Sequence, residues 1–217
     1  MSANFTPGAI IFDFDGTMVN SEEETIRIAR PVISKHLGRE ISDQEMDDLK
    51  GKVWKKEFQK WFPENHDEVH REIIETWNKA DPEIKAYEGI SELLSILQEK
   101  GFPFAVASSR ETRLIGEIIE KLCWDNYFDI VVGQDDTINH KPEPDPLLLA
   151  AERLGVQPME CIYIGDQVWD IKAAKAAGMF SGAALWGDGK PELLMKEQPD
   201  FTFYVPGDIP DKLLNRY

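Results

Sequence analysis

Cysteine is scarce in this chain: Cys123 and Cys161 are the only two among 217 residues. Two thiols make no disulfide framework, and the expected setting is a reducing cytosol. Both are read as ordinary buried or half-buried thiols. Long apolar runs are also missing. None approaches the roughly 20 residues that a helix needs to cross a bilayer, so no membrane partner is expected. The first residues, Met1 to Pro7, lack a basic start and an apolar core, so no secretory signal is expected. Basic residues are in the minority, 24 Lys and Arg against 40 Asp and Glu, for a net charge of −16. That balance excludes nucleic-acid binding driven by counterion release. An anionic substrate would need a metal ion and a few local cations to draw it in. Histidine is rare too. His66 and His70 stand four apart and read as surface residues.

Against these absences stands one dense motif, Asp13-Phe14-Asp15-Gly16-Thr17. The apolar run Ala9-Ile10-Ile11-Phe12 precedes it and reads as a buried strand, which projects alternate residues to one side. Asp13 and Asp15 would emerge together at its carboxyl end, where open α/β sheets bind ligands. Two carboxylates so close repel, and the site calls for a cation or a shared proton. Gly16 permits the sharp exit, and Thr17 sets a hydroxyl beside the acids. A strand followed by a polar turn would account for the same letters.

Further β-rich runs follow at residues 102–108, 129–133, 161–166, 181–186 and 200–205. Helical patterns separate most of them. Residues 91–100 carry Leu93, Leu94 and Leu97 on one face. Residues 145–154 open on an Asp cap with Pro146 at the first helical position and stop at Gly155. Residues 167–177 are alanine-rich and stop at Gly178. This alternation predicts an α/β fold, a doubly wound, Rossmann-like and mainly parallel sheet.

From about Val19 to Pro82 the rhythm breaks: no convincing strand and several helices. Ser42 and Glu45 form a capping box, and Pro31 is expected to end or kink the first helix. The second helix should stop near Gly51. Trp54, Phe58 and Trp61 line one face of a third, and Val69, Ile73, Ile74 and Trp77 one face of a fourth. The reading is an all-helical cap, residues 19–82, inserted into a core of residues 1–18 and 83–217.

Each later strand ends in polar residues. Ala107-Ser108-Ser109-Arg110 offers hydroxyls and backbone N–H groups near a helix start, an anion site, although a serine there can simply cap the helix. Lys141 sits in a loop stiffened by Pro142, Pro144 and Pro146, which could hold its ammonium over the site. Gly165-Asp166 is followed by Asp170 on the same helical face, where the helix's positive end favours acids. An N-cap plus a dipole-compensating acid would explain that segment alone.

Taken in order, Asp13-Phe-Asp-Gly-Thr17, Ser108, Lys141 and Gly165-Asp-x-x-x-Asp170 resemble the haloacid dehalogenase-like hydrolase superfamily over nearly the whole chain. The insertion looks like that superfamily's helical cap. The resemblance implies phosphoryl transfer through an aspartyl-phosphate on Asp13, with Asp15 as general acid and then base. It implies that Ser108 and Lys141 hold phosphate oxygens, beside substrate contacts from Gly16, Thr17, Ser109 and Arg110. It also implies Mg²⁺ held by Asp13, the backbone carbonyl of Asp15, Asp166 and Asp170.

Asp15 marks a chain that must protonate a leaving oxygen, which points away from the dehalogenases of the superfamily. Gly165 stands where sugar phosphomutases usually show Glu. The nearest resemblance is to phosphoglycolate phosphatases and related pyrophosphatases, carried by Gly133-Gln-Asp-Asp136, His140 to Pro146, Leu185-Trp-Gly187 and Pro199-Asp-Phe201. Asn20, where many relatives have aspartate, and Trp169 depart from the pattern. Packing is the expected role of Trp169. The expected substrate is a small phosphorylated metabolite, with a monomer or homodimer as the assembly. A phosphomutase and a silent binding module are the alternatives. Lys50 and Gly51, with Arg27, are the cap's candidates for touching the leaving group. The Trp54–Phe58–Trp61 stripe is read as cap core.

Overall fold

Four consecutive apolar residues make a strand suited to burial on both faces, and β1 (Ala9–Phe12) is buried at every position. The computed structural model describes residues 6–214. After β1 come β2 (Val19–Asn20) and four helices: α1 (Glu22–Leu37), α2 (Asp43–Asp47), α3 (Trp54–Trp61) and α4 (His66–Ala80). Next are β3 (Lys85–Ala86), α5 (Ile90–Glu99), β4 (Phe104–Ala107), α6 (Thr112–Lys121) and β5 (Val131–Val132). The chain closes with α7 (Asp145–Leu154), β6 (Cys161–Gly165), α8 (Val168–Ala176), β7 (Phe180–Ala184), α9 (Pro191–Lys196), β8 (Phe201–Phe203) and α10 (Asp208–Leu213).

The main sheet runs β5-β4-β1-β6-β7-β8, and every neighbouring pair is parallel. The fold is the expected α/β, doubly wound sheet. Its strand order reverses at β1, which pairs with β4 on one side and β6 on the other. The carboxyl ends of these three strands form the switch point where such sheets place ligands. Ala9, Ile11, Ala105, Ala107, Leu147 and Tyr163 pack in one buried cluster beside β1, so the central strands are held rigidly.

The chain divides into two compact units: residues up to Asn20 with those from Lys85 onward, and Ser21–Ile84. In the second unit, Ile33, Met46, Phe58, Val69 and Ile73 form the core, with Trp54 and Trp61 packed against it. The aromatic stripe is thus core of the helical unit. The Ser42–Glu45 capping box is present at α2.

Several local expectations fail for identifiable reasons. Of the two outcomes expected at Pro31, ending the helix is overturned: Pro31 lies inside α1, which runs on to Leu37. An interior proline costs about 3 kcal/mol, but Ile28, Val32 and Ile33 around it are buried, each contributing about 1.5–3 kcal/mol. Val19–Asn20 pairs antiparallel with Lys85–Ala86, so the stretch read as strandless begins in a two-residue ribbon. Two residues are too short for periodicity to register. Helix α2 stops at Asp47 and turns carry the chain on to Gly51, which adopts φ +68°. Asp145 is itself the first residue of α7, with Pro144 as its cap and Pro146 second. The helix ends at Gly155 as expected.

Candidate active site

Three sequence-predicted residues stand one position beyond a central strand: Asp13 after β1, Ser108 after β4 and Asp166 after β6. Backbone pairing continues into the first two of these positions. Asp13 N–H donates to the Ile164 carbonyl at 2.8 Å, and Ser108 N–H to the Val132 carbonyl at 2.9 Å. Their backbones are therefore fixed by the sheet, and all three residues are buried.

Lys141 reaches this cluster from the loop before α7. Its Nζ lies 2.9 Å from Asp13 Oδ1, 2.7 Å from Asp170 Oδ1 and 3.0 Å from Tyr163 Oη. Burial disfavours the ammonium, but the charges of Asp13 and Asp170 outweigh it and hold its pKa well above the ordinary value. Burial pushes the Asp13 carboxyl up to about 7 against the opposing pull of Lys141, and the Asp170 charge adds to the rise. Tyr163 is held well above its usual range by burial and the Asp13 charge, and so remains a neutral phenol.

Asp166 sits in a cradle of donors. Thr17 Oγ1 donates to its Oδ1 at 3.0 Å, and Gln167 Nε2 to its Oδ2 at 2.8 Å. The backbone N–H groups of Asp188 and Gly189 donate to Oδ2, each at 3.1 Å. Burial raises its pKa well above the usual range, and the charges of Asp170, Asp13 and Asp188 reinforce the shift. Gly16, at φ +77°, lies against this carboxylate; a Cβ there would come within 2.6 Å of Asp166 Oδ2. Helix capping does not explain Asp166. Gln167 is the cap of α8, and its N–H donates to Asp170 Oδ2 at 2.8 Å.

Carboxylate oxygens of Asp13, Asp166 and Asp170 all lie within 4.8 Å of one another. Fully ionised, these three acids carry three negative charges against one from the Lys141 ammonium, a deficit of two. Hard oxygen donors with that deficit fit a divalent cation such as Mg²⁺. The side chain of Asp15 is outside this trio.

Arg110 holds it instead. Its guanidinium forks onto the carboxylate, with Nε 2.9 Å from Oδ2 and Nη2 2.7 Å from Oδ1. Ser108 Oγ accepts the Arg110 N–H at 3.2 Å, which shapes the turn after β4. The helix starts later than expected, at Thr112 with Glu111 as cap, so neither Ser108 nor Ser109 caps it. Ser109 is half-buried beside them.

Within the helical unit, Lys50 is ion-paired with Glu22 and with Asp47, and Gly51 follows in its left-handed turn. Arg27 pairs with Glu24 on the surface of α1. Cys123 is exposed, contrary to expectation, while Cys161 is buried. Trp169 is half-buried with the Lys172 ammonium 5.4 Å from its ring centre, and lies outside the central apolar cluster.

Sequence reasoning missed Tyr163, Gln167 and the part that the loop after β7 plays in the site, having used Leu185-Trp-Gly187 only for the resemblance. Trp186 Nε1 in that loop donates to the Thr17 carbonyl at 2.8 Å, bracing the turn that carries Asp15 and Gly16. A signal existed in Gly187 and Gly189. A Cβ on Gly187 would meet the Gly16 carbonyl oxygen at 2.1 Å, and one on Gly189 would meet the Asp166 carbonyl oxygen. Two glycines after a strand mark such a close approach of backbones.

This arrangement has relatives. The family model described as haloacid dehalogenase-like hydrolase matches residues 10–184. A protein of Caldanaerobacter subterraneus, provisionally named pyrophosphatase PpaX, is 34% identical over 195 residues, covering 89% of this chain and 88% of the relative. The phosphoglycolate phosphatase of Escherichia coli K12 is 38% identical over 120 residues, covering 55% of this chain and 48% of that enzyme. A solved Lactobacillus plantarum structure, provisionally described as a phosphoglycolate phosphatase, shares the fold at TM-score 0.85 and 24% identity. That match covers 96% of this chain and 100% of the other. The chain therefore belongs to the haloacid dehalogenase-like hydrolases.

Proposed function

We propose that this enzyme hydrolyses the phosphate ester or anhydride of a small metabolite through an aspartyl-phosphate on Asp13, with Mg²⁺ as cofactor. The observation that carries the reading is the buried trio Asp13, Asp166 and Asp170 around the Lys141 ammonium. Such a set has little use in a folding scaffold, because burying unbalanced acids costs stability. Similarity to a pyrophosphatase-named protein and to a phosphoglycolate phosphatase supports phosphoglycolate or pyrophosphate as the substrate class.

In this reading a free Asp13 oxygen attacks phosphorus while the bond from phosphorus to the leaving oxygen breaks. Asp15 gives that oxygen a proton, then removes one from the water that hydrolyses the acyl phosphate. Ser108 and Lys141 hold equatorial phosphoryl oxygens, and the charge shifting onto them is met by Lys141. Gly16, Thr17, Ser109 and Arg110 line the approach. Mg²⁺, held by Asp13, Asp166 and Asp170 with the Asp15 carbonyl, would neutralise phosphoryl charge.

Residues 19–82 are proposed as a cap that reads the leaving group, with Lys50 and Gly51 as its candidates. To reach substrate, Lys50 would exchange Glu22 or Asp47 for it. The test is phosphate release from phosphoglycolate, pyrophosphate, sugar phosphates and an aryl phosphate, with and without Mg²⁺. Metal-dependent release supports the reading, and a folded sample inert on all of them rejects it.

A further inference from the structure

We propose that Tyr163 is a positioning residue: its hydroxyl anchors Lys141 and ties that lysine's position to the strand end that presents Ser108. The inference rests on the reading of Lys141 as a phosphoryl-holding group.

An ammonium has three hydrogens to place. Lys141 has three acceptors for them, Asp13 Oδ1, Asp170 Oδ1 and Tyr163 Oη, at 2.9, 2.7 and 3.0 Å. Its side chain is only 2% exposed, so water offers no ready substitute for a lost partner. The phenol is itself fixed. Its O–H donates to the Ala107 carbonyl at 2.7 Å, which turns a lone pair toward the ammonium. Ala107 is the last residue of β4, and Ser108 is next. One oxygen atom thus touches Lys141 and the carbonyl just before Ser108, although the two residues lie on separate elements.

The three acceptors are not equivalent. Asp13 and Asp170 are the acids proposed to meet phosphorus and the metal ion, so their oxygens have competing partners during turnover. Tyr163 is not among the groups proposed to meet phosphorus or the metal ion and is the constant anchor; its O–H lies 2.7 Å from the Ala107 carbonyl and only 3.5 Å from Asp170 Oδ1. Its place in the fold fits this role. Tyr163 is fully buried in β6 between Ile162 and Ile164, where a phenylalanine would fill the same volume. Packing asks for the ring; the hydroxyl answers Lys141 and Ala107.

The experiment compares the full-length chain with Tyr163→Phe in Mg²⁺, using phosphoglycolate and an aryl phosphate. The expected result is a kcat lowered tenfold or more with KM within threefold, because the Lys141 contact strengthens as charge develops. The second readout is free of activity. In metal-free protein with ¹⁵N-labelled lysine, Lys141 should give a slowly exchanging ammonium resonance, identified by its loss in Lys141→Gln. Tyr163→Phe should broaden or erase that signal. A kcat within twofold of the parent, or an unchanged resonance, overturns the proposal. If Tyr163→Phe does not fold, the parent spectrum decides: a resolved Lys141 ammonium supports the anchor and its absence rejects it. Full turnover by Lys141→Gln and Asp13→Asn would instead reject the phosphatase mechanism itself.

Discussion

Arg110 straddles the carboxylate of Asp15, with both ends of the acid engaged by one guanidinium. In the proposed mechanism Asp15 must release part of this fork to reach the leaving oxygen. The Asp15 side chain is 33% exposed and that of Arg110 11%, so without the guanidinium the carboxylate still has access to water. Arg110→Gln is expected to leave the unfolding midpoint nearly unchanged. It should lower kcat/KM at least about tenfold, a loss of roughly 1.4 kcal/mol in the transition state. Arg110→Lys should recover only part, because an ammonium cannot form the fork. Phosphate-release kinetics check this, and parental activity in Arg110→Gln would contradict it.

Among the described residues Asp166 has no ion-pair partner, only donors, and an asparagine can satisfy the same cradle. Its carbonyl can take the place of Oδ2, and its amide can donate to Thr17 if that hydroxyl turns round. Asp166→Asn should therefore keep or raise the metal-free melting temperature, since one of three crowded acids is gone. A gain of about 1 kcal/mol would appear as about 2–4 °C. The same variant should lose most of the stabilisation that Mg²⁺ gives the parent. Thermal melts with and without the ion report both effects, and undiminished Mg²⁺ stabilisation would remove Asp166 from the metal site.

The raised pKa of Asp13 predicts how stability follows pH. An unfolded aspartate titrates near 3.9, whereas folded Asp13 does so at about 7. Between these values the folded chain binds the extra proton, so stability falls as pH rises. This contribution is complete below about pH 4 and lost as pH passes through about 7. Metal-free urea unfolding midpoints from pH 5 to 8 should decline in part from this source, and the decline should be shallower in Asp13→Asn, the raised Asp166 carboxyl supplying the rest. Mg²⁺ should stabilise more at the upper end, where no proton must leave. Identical slopes in parent and variant would contradict the assignment.

Gly16 tests the turn. Alanine there meets both a positive φ and the Asp166 carboxylate, and neither can be relieved without moving the metal trio. Gly16→Ala should lower kcat/KM a hundredfold or more and weaken Mg²⁺ binding. A fully active Gly16→Ala enzyme would show that the turn has slack.

Much of this site is legible in the order of letters. An apolar run that ends in Asp13-x-Asp15 points to acids at a strand end, and Gly165-Asp166 repeats the device one strand away. Lys141 is recoverable from its proline-stiffened loop. Tyr163 is not, because a tyrosine in a buried strand reads as core until its hydroxyl partners are known. The donors of Asp188 and Gly189 to Asp166 are backbone N–H groups, which every residue but proline carries. Pro31 misleads because local propensity predicts a break that the burial of Val32 and Ile33 overrides.

The central claim concerns one covalent bond, between an Asp13 oxygen and phosphorus. Rapid acid quench of the enzyme turning over phosphoglycolate in Mg²⁺, followed by borohydride reduction and peptide mass mapping, tests it. The account predicts reduction of the acyl phosphate to homoserine at position 13, absent without substrate. Active enzyme whose residue 13 is never modified, or modification at another acid, would contradict it.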